Sequence, residues 1–281
     1  MAEPVSMTSS RPPRRFDWTN LRIRAVSSTV LICVVLAVLF SPSWSFLTMI
    51  AVGVALLAIE WGGMTAPQAP ARAAVVVTAA ILAPVFLTYL HRYDLAWISI
   101  AVLAVAAGLV ARTLSLKVSD TAYGVIYLGP PCMALAWLRT MPNPISWTVL
   151  AFAVTWSADI AAFAVGNALK GPKLSPRLSP NKTWSGFFGG LVGAMVAAMA
   201  TAAFSTVRLS LLAAAVIGLV GGLATMAGDL WESMLKRNYG VKDTGDLIPG
   251  HGGLLDRVDG LMFAVLSIAM ARLIYQAGWT H

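Results

Sequence analysis

Long apolar runs separated by short polar breaks set the pattern of this chain. They cover roughly residues 26–41, 45–60, 73–90, 95–111, 122–138, 145–168, 185–205, 209–228 and 260–277. At about 1.5 Å of rise per residue, most can cross a hydrocarbon core about 30 Å thick. The run 122–138 is the weakest, because Pro130 and Pro131 interrupt it. Proline is tolerated in a span when neighbouring helices satisfy the freed carbonyls. The pattern predicts an all-α, polytopic integral membrane protein with about nine transmembrane helices. It divides into a disordered cytoplasmic arm (1–25), N-terminal transmembrane helices (26–144) and a C-terminal transmembrane region (145–281) that carries the chemistry.

Composition agrees with lipid as the solvent. Hydrophobic residues make up 58% of 281 positions and charged residues 11%, with a mean hydropathy of +0.76. A soluble domain carries about 25% charged residues, so this chain cannot cover a surface facing water. The net charge of +8 does not point to nucleic acid. The basic residues sit in short loops between apolar runs, as the positive-inside rule predicts. With nine spans and the N-terminus inside, 16 of the 20 Lys and Arg residues fall on the cytoplasmic side, leaving Arg92, Arg139, Arg208 and Arg272. The expected location is the plasma membrane, multi-pass, with the N-terminus and both polar segments cytoplasmic. The Arg-rich lead reads as an arm before a retained first span, not as a cleaved signal. Cys33 and Cys132 lie far apart in apolar stretches and read as buried hydrophobes.

Polar chemistry is concentrated in two segments, Asp159 to Gly186 and Gly228 to Gly260. The second holds Asp229, Glu232, Asp243, Asp246, Asp256 and Asp259, half of the chain's 12 acids. Asp229 ends one apolar run, and Asp256 and Asp259 precede the next. Aspartates at the mouths of two adjacent helices can converge on one hard cation such as Mg²⁺. Blander roles compete. Glu232 and Lys236 have the spacing of a helical ion pair, and Asp243 and Asp246 can be solvated turn residues. His251 stands among Gly250, Gly252 and Gly253, which suit close approach of backbone to a ligand. The first segment supplies opposite charge: Lys170, Lys173, Arg177 and Lys182, interleaved with Ser175, Ser179 and Thr183, on a loop that Pro172, Pro176 and Pro180 keep extended. Ammonium and hydroxyl groups at a helix N-terminus make a phosphate cradle; a basic loop on anionic headgroups is the alternative. An acidic site beside a basic loop, both at the membrane face, suggests metal-assisted phosphoryl or nucleotidyl transfer.

The second segment resembles a known family. Ser233, Lys236, Arg237, Lys242, Asp243, Gly245, Pro249, His251, Gly252, Gly253, Asp256, Arg257 and Asp259 match the signature of the phosphatidate cytidylyltransferases, or CDP-diglyceride synthases. Ser179 to Thr183 resembles that family's Ser-Pro-x-Lys-Thr stretch. The resemblance implies that CTP and phosphatidic acid give CDP-diacylglycerol and pyrophosphate in phospholipid biosynthesis. It casts Asp229 and Asp256 as metal carboxylates, and Lys182, Lys236, Arg237 and Arg257 as phosphate contacts. Ser179 and Thr183 become their hydroxyl partners. It adds Lys173, Lys242, Asp243, His251, Gly252 and Gly253 to the substrate-binding set. It further implies Mg²⁺, with K⁺ as an optional second cation, and a homodimer in the lipid bilayer. A secondary transporter is the rival class, but it does not require a basic loop opposite an acidic cluster. A CDP-alcohol phosphotransferase would carry an Asp-Gly-x-x-Ala-Arg opening, which this sequence lacks.

Overall fold

Each apolar run becomes a helix, and the residues that bound the runs start and stop it. The computed structural model describes residues 18–250 and 252–278. Among them are nine helices: α1 (Trp18–Leu39), α2 (Ser43–Thr65), α3 (Pro70–Tyr89), α4 (Tyr93–Thr113), α5 (Val118–Thr140), α6 (Pro144–Leu169), α7 (Trp184–Phe204), α8 (Leu211–Asn238) and α9 (Leu255–Gln276). Proline opens α3 and α6, where its missing N–H costs nothing. Thr183 and Ser210 cap α7 and α8 through their hydroxyls. The fold is the expected all-α membrane architecture. Eight helices, α2 to α9, are long and apolar enough to cross a bilayer.

Three boundaries depart from expectation. Residues 18–25, read as part of a disordered arm, belong to α1; residues 1–17 of that arm lie outside the described residues. The apolar part of α1, Val26–Leu39, is shorter than an ordinary span. Yet Ser27 donates to the Pro249 carbonyl at 3.1 Å, and the Leu39 carbonyl accepts from Arg139 at 3.0 Å. α1 therefore runs from one face of the bundle to the other. Second, α8 continues to Asn238, ten residues past the apolar run, and α9 begins at Leu255, before its run starts. Polar residues on one face do not stop a helix whose other face packs. Third, the extended basic loop is a β-hairpin, β1 (Lys173–Ser175) with β2 (Ser179–Thr183), antiparallel and with Lys173 opposite Thr183.

α5 and α9 tie the bundle together. α2, α3 and α4 pack around α5, whereas α6, α7 and α8 pack in sequence and close on α9, which touches both α5 and α6. α5 passes through Pro130 and Pro131 without a break, because it is the most enclosed of the spans. The small-residue patterns mark close crossings. A Cβ at Gly193 would stand 2.8 Å from the Ser157 carbonyl of α6, and one at Gly218 would stand 2.6 Å from the Ala194 carbonyl of α7. Two of the four arginines outside the cytoplasmic count hold the face opposite the polar segments. Arg139 is buried and donates to the Leu39 and Ser41 carbonyls. Arg272 is buried against Trp137 and Trp147 and donates to the Pro142 carbonyl.

Candidate active site

Both polar segments meet at one end of the bundle. The β1–β2 hairpin folds back so that Lys182 Nζ forms an ion pair with Asp229 Oδ2 of α8. Around this pair lies a cavity of about 510 Å³, walled by α6, the hairpin, α7 and α8. Asp159 and Asn167 face it from α6, Lys173, Asn181, Lys182 and Thr183 from the hairpin, and Asp229 from α8. Thr183 Oγ1 accepts from Gly186 N at 3.1 Å, so its hydroxyl caps α7 at the cavity wall. Ser179 sits in β2, in register with Ser175. The cavity combines three cation- or amide-bearing hairpin residues, a capped helix N-terminus and two carboxylates. Such a set can hold phosphate oxygens on one side and a cation on the other.

A second polar knot lies beside the cavity. Asp256, in the first turn of α9, takes Lys236 Nζ on Oδ1 at 2.6 Å. Its Oδ2 accepts from Thr244 N at 3.0 Å, Thr244 Oγ1 at 3.1 Å and Gly253 N at 3.0 Å. The carboxylate thus reaches back over the start of α9, as the acid of a capping box does. It also pins the preceding loop. Lys236 bridges to Glu232 at 2.9 Å, which is the ion pair that the helical spacing predicts. Asp259, one turn on, lies beside Asp229 and Glu232. Helices α8 and α9 come this close because Gly228 backs onto the Asp259 carbonyl, and Gly260 backs onto Thr225.

Glu60 of α2 completes the knot, and sequence reasoning missed it. Its side chain is buried; Oε1 accepts from Leu254 N and Oε2 from Leu255 N, both at 2.6 Å. Oε2 also receives Thr244 Oγ1 at 3.3 Å. A carboxylate here satisfies two of the free N–H groups at the α9 N-terminus and meets the positive end of its dipole. Gly253 sits where a Cβ would meet Thr244 Oγ1 and both Glu60 oxygens. Its requirement is therefore close packing against this carboxylate. The signal was a single acid at the end of an otherwise apolar run.

Other expected site residues spread around these two centres. Arg257 is exposed in the first turn of α9 and lies near Asp159 of α6. Arg237 Nη1 donates to the Val241 carbonyl at 3.2 Å, closing the turn after α8. Lys242 and Asp243 are exposed on the following loop. Gly252 turns the chain at φ +84°, and its carbonyl accepts from Ile248 N at 2.9 Å. His251 lies outside the described residues.

Among the described residues, no group of three or more His, Cys, Asp or Glu side chains is drawn together at metal-binding distance. Asp229 lines the cavity with Lys182 on its Oδ2, whereas Asp256 lies outside the cavity lining, with Lys236 on Oδ1 and the Thr244 and Gly253 donors on Oδ2. Asp159 faces Asp229 across the same cavity.

Comparison with known proteins gives the same direction. The model of the cytidylyltransferase family matches residues 22–275. The phosphatidate cytidylyltransferase of Brucella suis is 38% identical over 274 residues, covering 92% of this chain and 94% of that protein. The chloroplastic phosphatidate cytidylyltransferase 5 of Arabidopsis thaliana is 30% identical over 273 residues, or 84% of this chain and 68% of that protein. The Pseudomonas aeruginosa phosphatidate cytidylyltransferase is 35% identical over 161 residues, 56% of this chain and 57% of that protein.

Proposed function

Because this chain belongs to the cytidylyltransferase family, we infer that it transfers the cytidylyl group of CTP to phosphatidic acid, forming CDP-diacylglycerol and pyrophosphate. The observation that carries the reading is the Lys182–Asp229 pair at the mouth of a polar cavity between membrane helices. A phosphate oxygen of the lipid attacks the α-phosphorus of CTP. The new P–O bond forms as the bond to the bridging oxygen breaks, and pyrophosphate leaves. The attacking group is already anionic, so no side chain need remove a proton or form a covalent intermediate. The obstacle is repulsion between two anions.

The basic side chains answer that repulsion. Lys182 and Lys173 line the cavity on the hairpin. An ammonium that now rests on Asp229 can turn to a phosphate oxygen with little movement. Lys236 is held more firmly, between Glu232 and Asp256, and positions the α9 N-terminus beside the cavity. A bound Mg²⁺, held by Asp229 and Asp256 or by Asp229 with Asp159, would supply charge neutralisation of the triphosphate. The reading is tested by incubating purified protein with phosphatidate and CTP labelled in its cytidine. Label should pass into the lipid extract, and its absence would refute the reading.

Lys182→Ala tests the hairpin's part. A charge-assisted contact contributes about 1.5–3 kcal/mol, so kcat/KM should fall about tenfold or more while the helical circular dichroism signal stays. Unchanged kinetics would assign Lys182 to lipid headgroups.

The site faces the cytoplasm in this reading, since the basic residues cluster on the face that carries it. Single cysteines replacing the exposed Arg177 and Asp246, with Cys33 and Cys132 removed, should resist an impermeant thiol reagent added to intact cells. Both should react once the membrane is opened. Ready labelling from outside at either position would invert the orientation.

A further inference from the structure

A second cavity, of about 300 Å³, is lined almost wholly by apolar side chains, several of them exposed. Helices α1 and α2 form one wall and α5, α6 and α9 the other. Among the described lining residues Arg257 is the only one with a charge. It interacts electrostatically with Asp159, which lines the polar cavity. Arg257 therefore stands where the two cavities approach each other. Below it, the lining descends α9 through Leu261 to Val265, about 12 Å along the helix axis. On α2 it runs from Leu57 down to Met49, the same length. α1 covers this space thinly: it packs on α2 and α6, and its Leu31 and Val34 both line the cavity and stay exposed.

We propose that this cavity holds an acyl chain of the anionic lipid substrate, with Arg257 meeting the lipid's phosphate. The proposal rests on the reading of the polar site as a cytidylyltransfer site, and it adds where the lipid lies. An apolar shaft with one guanidinium at its polar end matches an amphiphile with an anionic head. A nucleotide has no part that suits the shaft. Arg257 is exposed in the first turn of α9, and a phosphate held by its guanidinium would place its oxygens toward Asp159 and the polar cavity. The substrate can enter sideways from the bilayer past α1, because the wall on that side is the thin one.

Gly53 gives a clean test. It lines the cavity, and a Cβ placed on it meets nothing within 4 Å, so a larger side chain points into the shaft without disturbing the helix. Gly63, on the same helix and equally open, does not line the cavity and serves as control. Gly53→Leu should raise KM for dioleoyl phosphatidate by about tenfold or more, since the new side chain displaces methylenes that would otherwise be buried in the shaft. KM for dihexanoyl phosphatidate should stay within about twofold, as should both values in Gly63→Leu. Equal effects of Gly53→Leu on the two lipids, or none on either, would overturn the proposal. An independent measurement uses the unaltered full chain and a phosphatidate with a diazirine in mid-chain. Photolabel should appear on peptides containing Val54 and Leu261, and label absent from both would likewise overturn it. If the unaltered chain turns over neither lipid, the cytidylyltransfer reading fails on its own, while the photolabel still decides what occupies the shaft.

Discussion

Asp229→Asn is expected to lower turnover about a hundredfold or more, the scale seen when one group that stabilises a transition-state charge is removed. The substitution keeps size and hydrogen-bonding capacity and removes the anion. Asp229 is half-buried at the cavity wall, and the lysine paired with it, Lys182, can also reach solvent. The variant should therefore stay folded and inserted, with a melting temperature in detergent close to that of the parent. Its demand for Mg²⁺ should rise if the lost carboxylate is a ligand. Asp256→Asn should lose as much turnover but behave differently in stability. Asp256 takes Lys236 on one oxygen and three loop donors on the other. An asparagine must either turn its amide against Lys236 or give up the loop. Removing one partner of a buried ion pair costs about 3–5 kcal/mol, so this variant should also melt earlier. Asp246→Asn, on the exposed loop, should change neither property. Near-normal activity and unchanged Mg²⁺ dependence in both core variants would remove these aspartates from the metal site.

Glu60→Ala carries the second large effect. It leaves the Leu254 and Leu255 N–H groups without their acceptor and takes one partner from Thr244. Hydrogen bonds to a charged group are worth about 1.5–3 kcal/mol each, so the loss should be several kcal/mol and should appear as a lower melting temperature. The same loss loosens the start of α9, which aims Asp256 and Arg257. Activity should then fall about tenfold or more even at temperatures where the protein is folded. Glu60→Gln keeps one acceptor and turns an amide N–H₂ toward the second backbone N–H, so it should fall between the parent and Glu60→Ala. If Glu60→Ala keeps both its melting temperature and its kcat, the α2 carboxylate does not position the site.

The helices were largely legible because each apolar run is long and each break is short. What the runs could not give was where polar helix continues. Asp229, Glu232 and Lys236 continue α8 on a face that is turned inward, because their charges are met within the fold by Lys182 and Asp256 and by each other. The hairpin was read as an extended loop; three prolines suit extended backbone, but the pairing of Lys173 with Thr183 needs tertiary geometry. The two charged segments were expected to meet, and the Lys182–Asp229 pair joins them. The partner of Asp256 was not visible in the same way. Sequence spacing placed Lys236 with Glu232, and the fold adds Asp256 to the same ammonium from 20 residues away. Glu60 was the least accessible of all, because its role depends on a helix nearly 200 residues downstream and its own surroundings are apolar.

The most direct measurement of the central claim is product stoichiometry with purified protein, Mg²⁺, CTP and phosphatidic acid. Attack of the lipid phosphate on the α-phosphorus requires one pyrophosphate for each CDP-diacylglycerol, and no pyrophosphate when phosphatidate is left out. Release of orthophosphate, or breakdown of CTP at the same rate without the lipid, would contradict the account.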